Sequence, residues 1–196
     1  MTNENLIAKY DHLFEVMHTD KFLSMEALGG EIPFFISTYA PSQENEAKKA
    51  MAGLKKKLET KHGIRVLTIN LYELAMNILD EELGENEIFN LEEELEQDEF
   101  KEALQSILDI NEVFMPAIQK RILESNAQLY FFDGIGQVFP FIRSHSILNN
   151  LQNIAKEAPS VFFFPGRYTG ESLELFGLLK DDNYYRAFNL DNYKLS

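Results

Sequence analysis

Two uninterrupted apolar runs in the last third of the chain, Leu129–Phe132 and Val161–Phe164, each stop at turn-forming residues. Asp133-Gly-Ile-Gly follows the first run, and Pro165-Gly-Arg-Tyr-Thr-Gly follows the second. A strand wetted on one face alternates apolar and polar residues. A strand covered on both faces does not, and a short apolar run bounded by turns is its spelling. A helix-like segment separates the two runs, so the pattern predicts buried parallel strands. In open sheets of that kind ligands and partners gather at the carboxyl ends of the strands. It is there that this sequence sets Asp, Arg, His and Tyr beside a rigid scaffold.

The rest of the chain extends the pattern. Leu6, Tyr10, Leu13, Phe14 and Met17 recur at helical spacing and predict an amphipathic helix over Asn5–Phe22. Gly29-Gly30 breaks the chain, and Pro33–Tyr39 reads as a first strand ended by Ala40-Pro41. A helix with Ser42 as its N-cap runs to about His62, where Gly63 stops it. Ile64–Leu71 reads as a second strand and Leu71–Leu83 as a helix. Asp80–Glu99 holds eleven acidic residues and no basic one. It reads as a solvated loop passing into a helix, with Leu91, Leu95 and Leu104 facing inward. Glu99–Leu123 continues as a helix, with Pro116 as its point of disturbance. Gln128–Phe132 is the third strand, Pro140–Lys156 a helix and Val161–Phe164 the fourth strand. Leu173–Leu178 reads as a short helix and Tyr184–Leu190 as a fifth strand. The expectation is one α/β domain over residues 1–196: three layers, a five-stranded, mainly parallel sheet and a helical insert at about residues 80–125.

Composition removes several function classes. With no Cys, disulfides, thiol chemistry and Cys-containing zinc sites are excluded. No run of about 18 apolar residues is present, so no membrane span is expected. The first residues show neither a basic region nor an apolar signal core, and the cytoplasm is the default expectation. A net charge of −14 repels nucleic acid overall, which disfavours direct nucleic-acid binding. Lys48, Lys49, Lys55, Lys56, Lys57 and Lys61 concentrate positive charge on one predicted helix, most simply as a solvated face. Sixteen Phe and eight Tyr are more than one core of this size need bury, which suggests a homodimer.

No complete catalytic motif emerges. A phosphate loop needs Gly-x-x-x-x-Gly-Lys-Ser/Thr after the first strand. Here Thr38-Tyr-Ala-Pro-Ser-Gln-Glu-Asn-Glu-Ala occupies that place, without Gly or Lys and with two Glu where phosphates would sit. Leu129-Tyr-Phe-Phe-Asp133 has the pattern of a Walker B strand, yet Asp before Gly is also an ordinary turn former. Arg143 and His145 open the helix after strand three and can meet Asp133 at the sheet edge. There Arg143 can bind a carboxylate or phosphate and His145 can exchange a proton. The competing reading is an Arg paired with a nearby acid and a His at a helix cap. Arg167 and Tyr168 project from the expected Pro165–Gly170 loop. Asp182, Tyr184, Tyr185 and Arg186 form either a turn before the last strand or an interface rich in Tyr and Arg. No residue set meets the spacing of a triad, a cofactor fingerprint or a metal site.

Three stretches together resemble a known family. Phe139-Pro-Phe-Ile-Arg-Ser-His-Ser-Ile-Leu-Asn-Asn-Leu, Phe164-Pro-Gly-Arg-Tyr-Thr-Gly-Glu-Ser-Leu-Glu-Leu-Phe-Gly and Asp181-Asp-Asn-Tyr-Tyr-Arg-Ala-Phe are similar to the BrxB family of bacterial BREX (bacteriophage exclusion) systems. The resemblance implies a cytoplasmic, non-catalytic component of a phage-defence complex. It also implies other BREX proteins as partners: first the alkaline-phosphatase-like PglZ protein, then the adenine methyltransferase. It supplies no catalytic, cofactor or metal residues to transfer. The order of motifs is similar to a P-loop-type domain that lacks its Walker A motif. The alternative is a degenerate nucleotide- or nucleic-acid-binding enzyme of the same system, resting on Asp133, Arg143, His145 and Arg167.

Overall fold

A computed structural model describes residues 3–25, 34–84, 87–181 and 187–194. Helices α1 (Asn3–Met17), α2 (Asp20–Leu23) and α3 (Glu44–His62) cover one face of a central sheet. The other face is covered by α4 (Leu71–Leu83), α5 (Glu87–Glu94), α6 (Gln97–Ile107), α7 (Met115–Glu124), α8 (Ile135–Val138) and α9 (Ser144–Ile154). Between them lie the parallel strands β1 (Phe34–Tyr39), β2 (Val66–Asn70), β3 (Leu129–Asp133), β4 (Ser160–Tyr168) and, after a hairpin, β7 (Phe188–Asn189). They run side by side as β2-β3-β4-β1-β7. The α/β build and the mostly parallel sheet are those expected, but the sheet has seven strands among the described residues rather than five, because two short antiparallel strands extend the end of β4.

The unbroken apolar runs exist because both faces are dry. Alternate residues serve opposite layers: Phe132 and Phe162, partners in register, stack at 4.7 Å on the α4–α9 side. Phe131 and Phe163 meet edge to face at 5.1 Å on the α1–α3 side. Each fully buried Phe contributes about 1.5–3 kcal/mol of transfer free energy. The Phe-rich composition is therefore spent largely inside, with Phe34, Phe35, Phe131, Phe132, Phe162 and Phe164 all fully buried.

Several local expectations are corrected. Ser42 lies in a 3-10 turn, Pro41–Gln43, and Gln43 takes the N-cap position of α3 without a side-chain cap bond. Gly63 does end α3, at φ 66°. The acidic stretch is mostly helical: α4 continues to Leu83, and α5 spans Glu87–Glu94 with no buried residue. The long helix breaks before Pro116. Leu108 ends one helix, Asp109 caps a π-turn over Ile110–Phe114, and Pro116 stands in the first turn of α7, where its missing N–H costs nothing. Leu173–Leu178 is not a helix. Its first half is strand β5 (Leu173–Leu175), which turns at Phe176-Gly177 into β6 (Leu179–Asp181). Pro165–Tyr168 is not a loop: β4 continues to Tyr168 and pairs antiparallel with β5. Of the expected fifth strand, Phe188–Asn189 is paired to β1, while Tyr184, Tyr185 and Arg186 lie outside the described residues, as does Asp182.

Candidate functional site at the carboxyl edge of the sheet

β2 and β3 end in register, Asn70 beside Asp133. Asn70 caps α4: its Oδ1 accepts the Glu73 N–H at 2.9 Å. The same side chain stands beside the Asp133 carboxylate and holds its pKa down. Gly134 then turns the chain at φ 75° into α8, and a Cβ there would stand 2.6 Å from Asn70 Oδ1. So the sharp turn at Asp-Gly and the cap of α4 are one construction. It leaves Asp133 only 6% exposed, with Oδ1 lacking any hydrogen-bond partner. Burial pushes its carboxyl up to about 6, helped by the nearby charges of Glu73 and Glu44 and opposed by Asn70 and by Lys48.

Across β4, the end of β1 supplies the other wall. The Tyr39 hydroxyl donates to Glu44 Oε2 at 2.7 Å. Lys48, one turn further along α3, lies 3.6 Å from Glu44 Oε1 and donates to Gln137 Oε1 of α8 at 2.9 Å. Tyr10 reaches over from α1 and donates weakly to the Ala47 carbonyl at 3.2 Å. Burial first, then neighbouring carboxylates, raise both phenols well above the usual tyrosine range, so both hydroxyls keep their protons. Tyr10, Tyr39, Ala47, Lys48, Met51, Asp133 and Phe163 line a narrow crevice. Its wall offers phenol and carboxylate oxygens as acceptors, with Lys48 already engaged elsewhere. Among the described residues no group of three or more His, Cys, Asp or Glu side chains is placed to hold a metal ion.

The expected meeting of Asp133 with Arg143 and His145 does not occur. Arg143 is the exposed N-cap of α9 and makes no side-chain cap bond. His145 is half-buried in the first turn of that helix, and neither is among the charged groups acting on Asp133. Arg167 is exposed on β4, directly opposite Glu174 of β5, which in turn faces Lys180 of β6. Tyr168 does not project as expected. It is buried, and its hydroxyl donates to the Ala187 carbonyl at 2.7 Å, because the strand it extends turns that side chain inward. The lysines of α3 are largely committed: Lys48 to Glu44, Lys55 to Glu59 and Lys57 to Asp11, with Lys57 and Lys61 also over the Phe14 ring.

β4 outruns its neighbours at this edge. Its last residues, with β5 and β6, form an antiparallel extension whose turn exposes Phe176 (37%), Leu178 (84%) and Leu179 (44%). Gly166 makes this possible. At φ 153° it passes so close to β5 that a Cβ would lie 2.0 Å from the Glu174 carbonyl oxygen.

Residues 67–190, from within β2 to just past β7, match the family model described as "BREX protein BrxB". The chain belongs to the BrxB family. A BrxB protein of Bacillus cereus (strain H3081.97) is 34% identical over 185 residues, covering 93% of this chain and 95% of that protein. One from Escherichia coli O9:H4 (strain HS) is 25% identical over 174 residues, covering 89% and 86%. Both relatives are named "BREX protein BrxB". No solved structure matches the fold, so the likeness to a P-loop-type domain has no structural support. No helix among the described residues is long and apolar enough to cross a membrane.

Proposed function

We propose that this BrxB-family chain is a non-catalytic docking component of a cytoplasmic BREX assembly, and that it binds a partner protein through the β4–β6 extension. PglZ is the first candidate partner and the methyltransferase the second. One observation carries the reading. An extension held by backbone pairing presents Phe176, Leu178 and Leu179 to solvent, backed by Arg167 and Lys180 on either side of Glu174. Contiguous exposed apolar residues with an arginine beside them are the makings of a binding hot spot. Arg167 and Lys180 flank Glu174 across the three strands, a charge pattern that gives a partner one orientation to prefer.

The test is affinity purification after co-expression with the neighbouring BREX genes. Wild type retains a BREX protein; Leu178→Asp and Arg167→Glu each lose at least about tenfold of it, which corresponds to about 1.4 kcal/mol. Both variants keep the wild-type melting temperature, and both lose protection against phage. Recovery of no BREX protein, or equal recovery by all three chains, rejects the reading. Sizing of the purified chain alone reports whether it is also a homodimer. The second reading, a degenerate nucleotide-binding enzyme, is favoured by the unpartnered Asp133. It requires a nucleotide with Mg²⁺ to raise the melting temperature of wild type but not of Asp133→Asn.

A further inference from the structure

We infer that β2, the outer strand of the sheet, is where two copies of this chain pair, antiparallel and edge to edge. This goes beyond the docking reading above and does not depend on it, since β2 lies two strands away from β4. β3, β4 and β1 each have a strand on both sides. β2 has only β3, and its other side is unpaired among the described residues.

Register decides which backbone groups face outward. The Tyr130 N–H donates to the Pro159 carbonyl beside β4, so Tyr130 faces β4 and its neighbour Phe131 faces β2. A residue in a parallel ladder bonds to the two residues flanking its register partner. Phe131, opposite Thr68, therefore engages Leu67 and Ile69. Thr68 turns its own N–H and carbonyl to the open side, and Val66 does the same. The strand Val66–Asn70 carries no charged residue and no Pro, and its register is unbroken by a bulge. Those are the devices that usually close an edge to other strands. Leu67 and Thr68 are half-buried where every residue of β3 is buried, so water reaches this edge.

A row of free N–H and carbonyl groups is complemented by an extended polypeptide. Charge selects a second copy. Arg65 stands just before β2, and Glu73 just beyond it in the first turn of α4; both are exposed. The Arg65 Nε donates to the Asn126 carbonyl, leaving the terminal nitrogens for a carboxylate. Neither Arg65 nor Glu73 has an ion pair among the described residues. A two-fold axis through Thr68 runs the copies antiparallel and brings Arg65 of each toward Glu73 of the other. An isologous contact needs a patch that complements itself, and opposite charges at the two ends of one strand provide it. The same axis sets Thr68 against Thr68 and Val66 against Asn70, with no like charges opposed. Tyr72, 37% exposed at the start of α4, adds apolar area past the end of the strand.

The experiment sizes the purified chain by sedimentation across a dilution series, with hydrogen exchange read at both ends of the series. Wild type should be a dimer at the concentrated end, with the Thr68 N–H protected there and exchanging on dilution. The Leu67 and Ile69 amides, bonded to β3, should stay protected throughout. Arg65→Glu and Glu73→Arg should each weaken the dimer by about tenfold or more, because each sets like charges against each other across the axis. Mixed in equal amounts, the two variants should pair with each other about as tightly as wild type, since the glutamates of one chain then meet the arginines of the other. Thr68→Pro should give a folded monomer, because the N–H it removes points away from β3; if it does not fold, the exchange and mixing results decide. A wild type that is monomeric at every concentration overturns the inference. So does a dimer whose Thr68 N–H exchanges freely, or a mixture that pairs no better than either variant alone. Leu178→Asp should size as wild type; loss of the dimer there would put the interface at the β4–β6 extension and overturn this one.

Discussion

The ammonium of Lys9 on α1 lies 2.8 Å from Asp191 Oδ2, close to the carboxyl end of the chain. The same carboxylate accepts the Ser37 hydroxyl at 2.7 Å and the Thr38 N–H at 3.0 Å, and Lys9 also donates to the Thr38 carbonyl oxygen. One ion pair thus ties the first helix, the first strand and the last turn together. Burial lowers the Lys9 ammonium below the usual lysine range, and Asp191 opposes that.

Removing one member strands the other. Asp191→Ala should cost about 3 kcal/mol in urea denaturation, and Lys9→Met a similar amount. The double variant should cost clearly less than the sum of the two, since it leaves no lone charge behind. Additive losses would show that the pair is not coupled.

Asp133 gives the chain a pH dependence of opposite sign to that of a salt-bridged carboxylate. Its folded value, about 6, lies above the ordinary 3.8. The folded state therefore binds the proton more tightly, and stability from this group is complete below about pH 4 and lost as pH rises through 6. At pH 8, Asp133→Asn should be more stable than wild type by about 1–3 kcal/mol. At pH 4 the two should converge. Chemical denaturation at both values, on the chain alone, checks the crossover.

Gly166→Ala should damage the extension while leaving the parallel sheet intact. The new Cβ collides with backbone, the Glu174 carbonyl, which cannot step aside as a flexible side chain would. Hydrogen exchange reads this locally: protection of the Phe176 N–H, which donates to the Pro165 carbonyl at 2.8 Å, should fall by about tenfold or more. Protection of Phe131 and Phe132 should hold. Uniform loss across the sheet would contradict it.

Tyr168→Phe removes only the hydroxyl that reaches Ala187, and should cost about 1 kcal/mol. Tyr168→Ala removes a buried ring and should cost about 3–5 kcal/mol. Both follow from thermal unfolding. Equal, negligible effects would return Tyr168 to the surface role that its setting in a Pro-Gly-Arg-Tyr stretch suggests.

The buried strands were legible because burial on two faces writes itself as consecutive Phe, Ile and Val. Asp133 was legible because a strand that ends in Asp-Gly must end at a turn. Its true neighbours were not. Asn70 meets Asp133 through strand register, and Tyr39, Glu44 and Lys48 meet it across β4. Spacing along the chain carries none of that. The Leu173–Leu178 stretch misled for a related reason. Leu173, Leu175, Phe176 and Leu178 suit a helical stripe, but the preceding strand, held open by Gly166, offers a backbone edge and draws Leu173–Leu175 into pairing.

The position of β1 has a consequence for synthesis. Both of its neighbours, β4 and β7, are translated after residue 159. While the ribosome is still making the helical insert, Phe34, Phe35 and Ile36 have been made but have no strand to lie against. Those contacts span more than a hundred residues, the kind that form late and slowly. A nascent chain of this protein must therefore carry an unpaired, Phe-rich strand for most of its elongation, and a chaperone that shields such strands should be found on it.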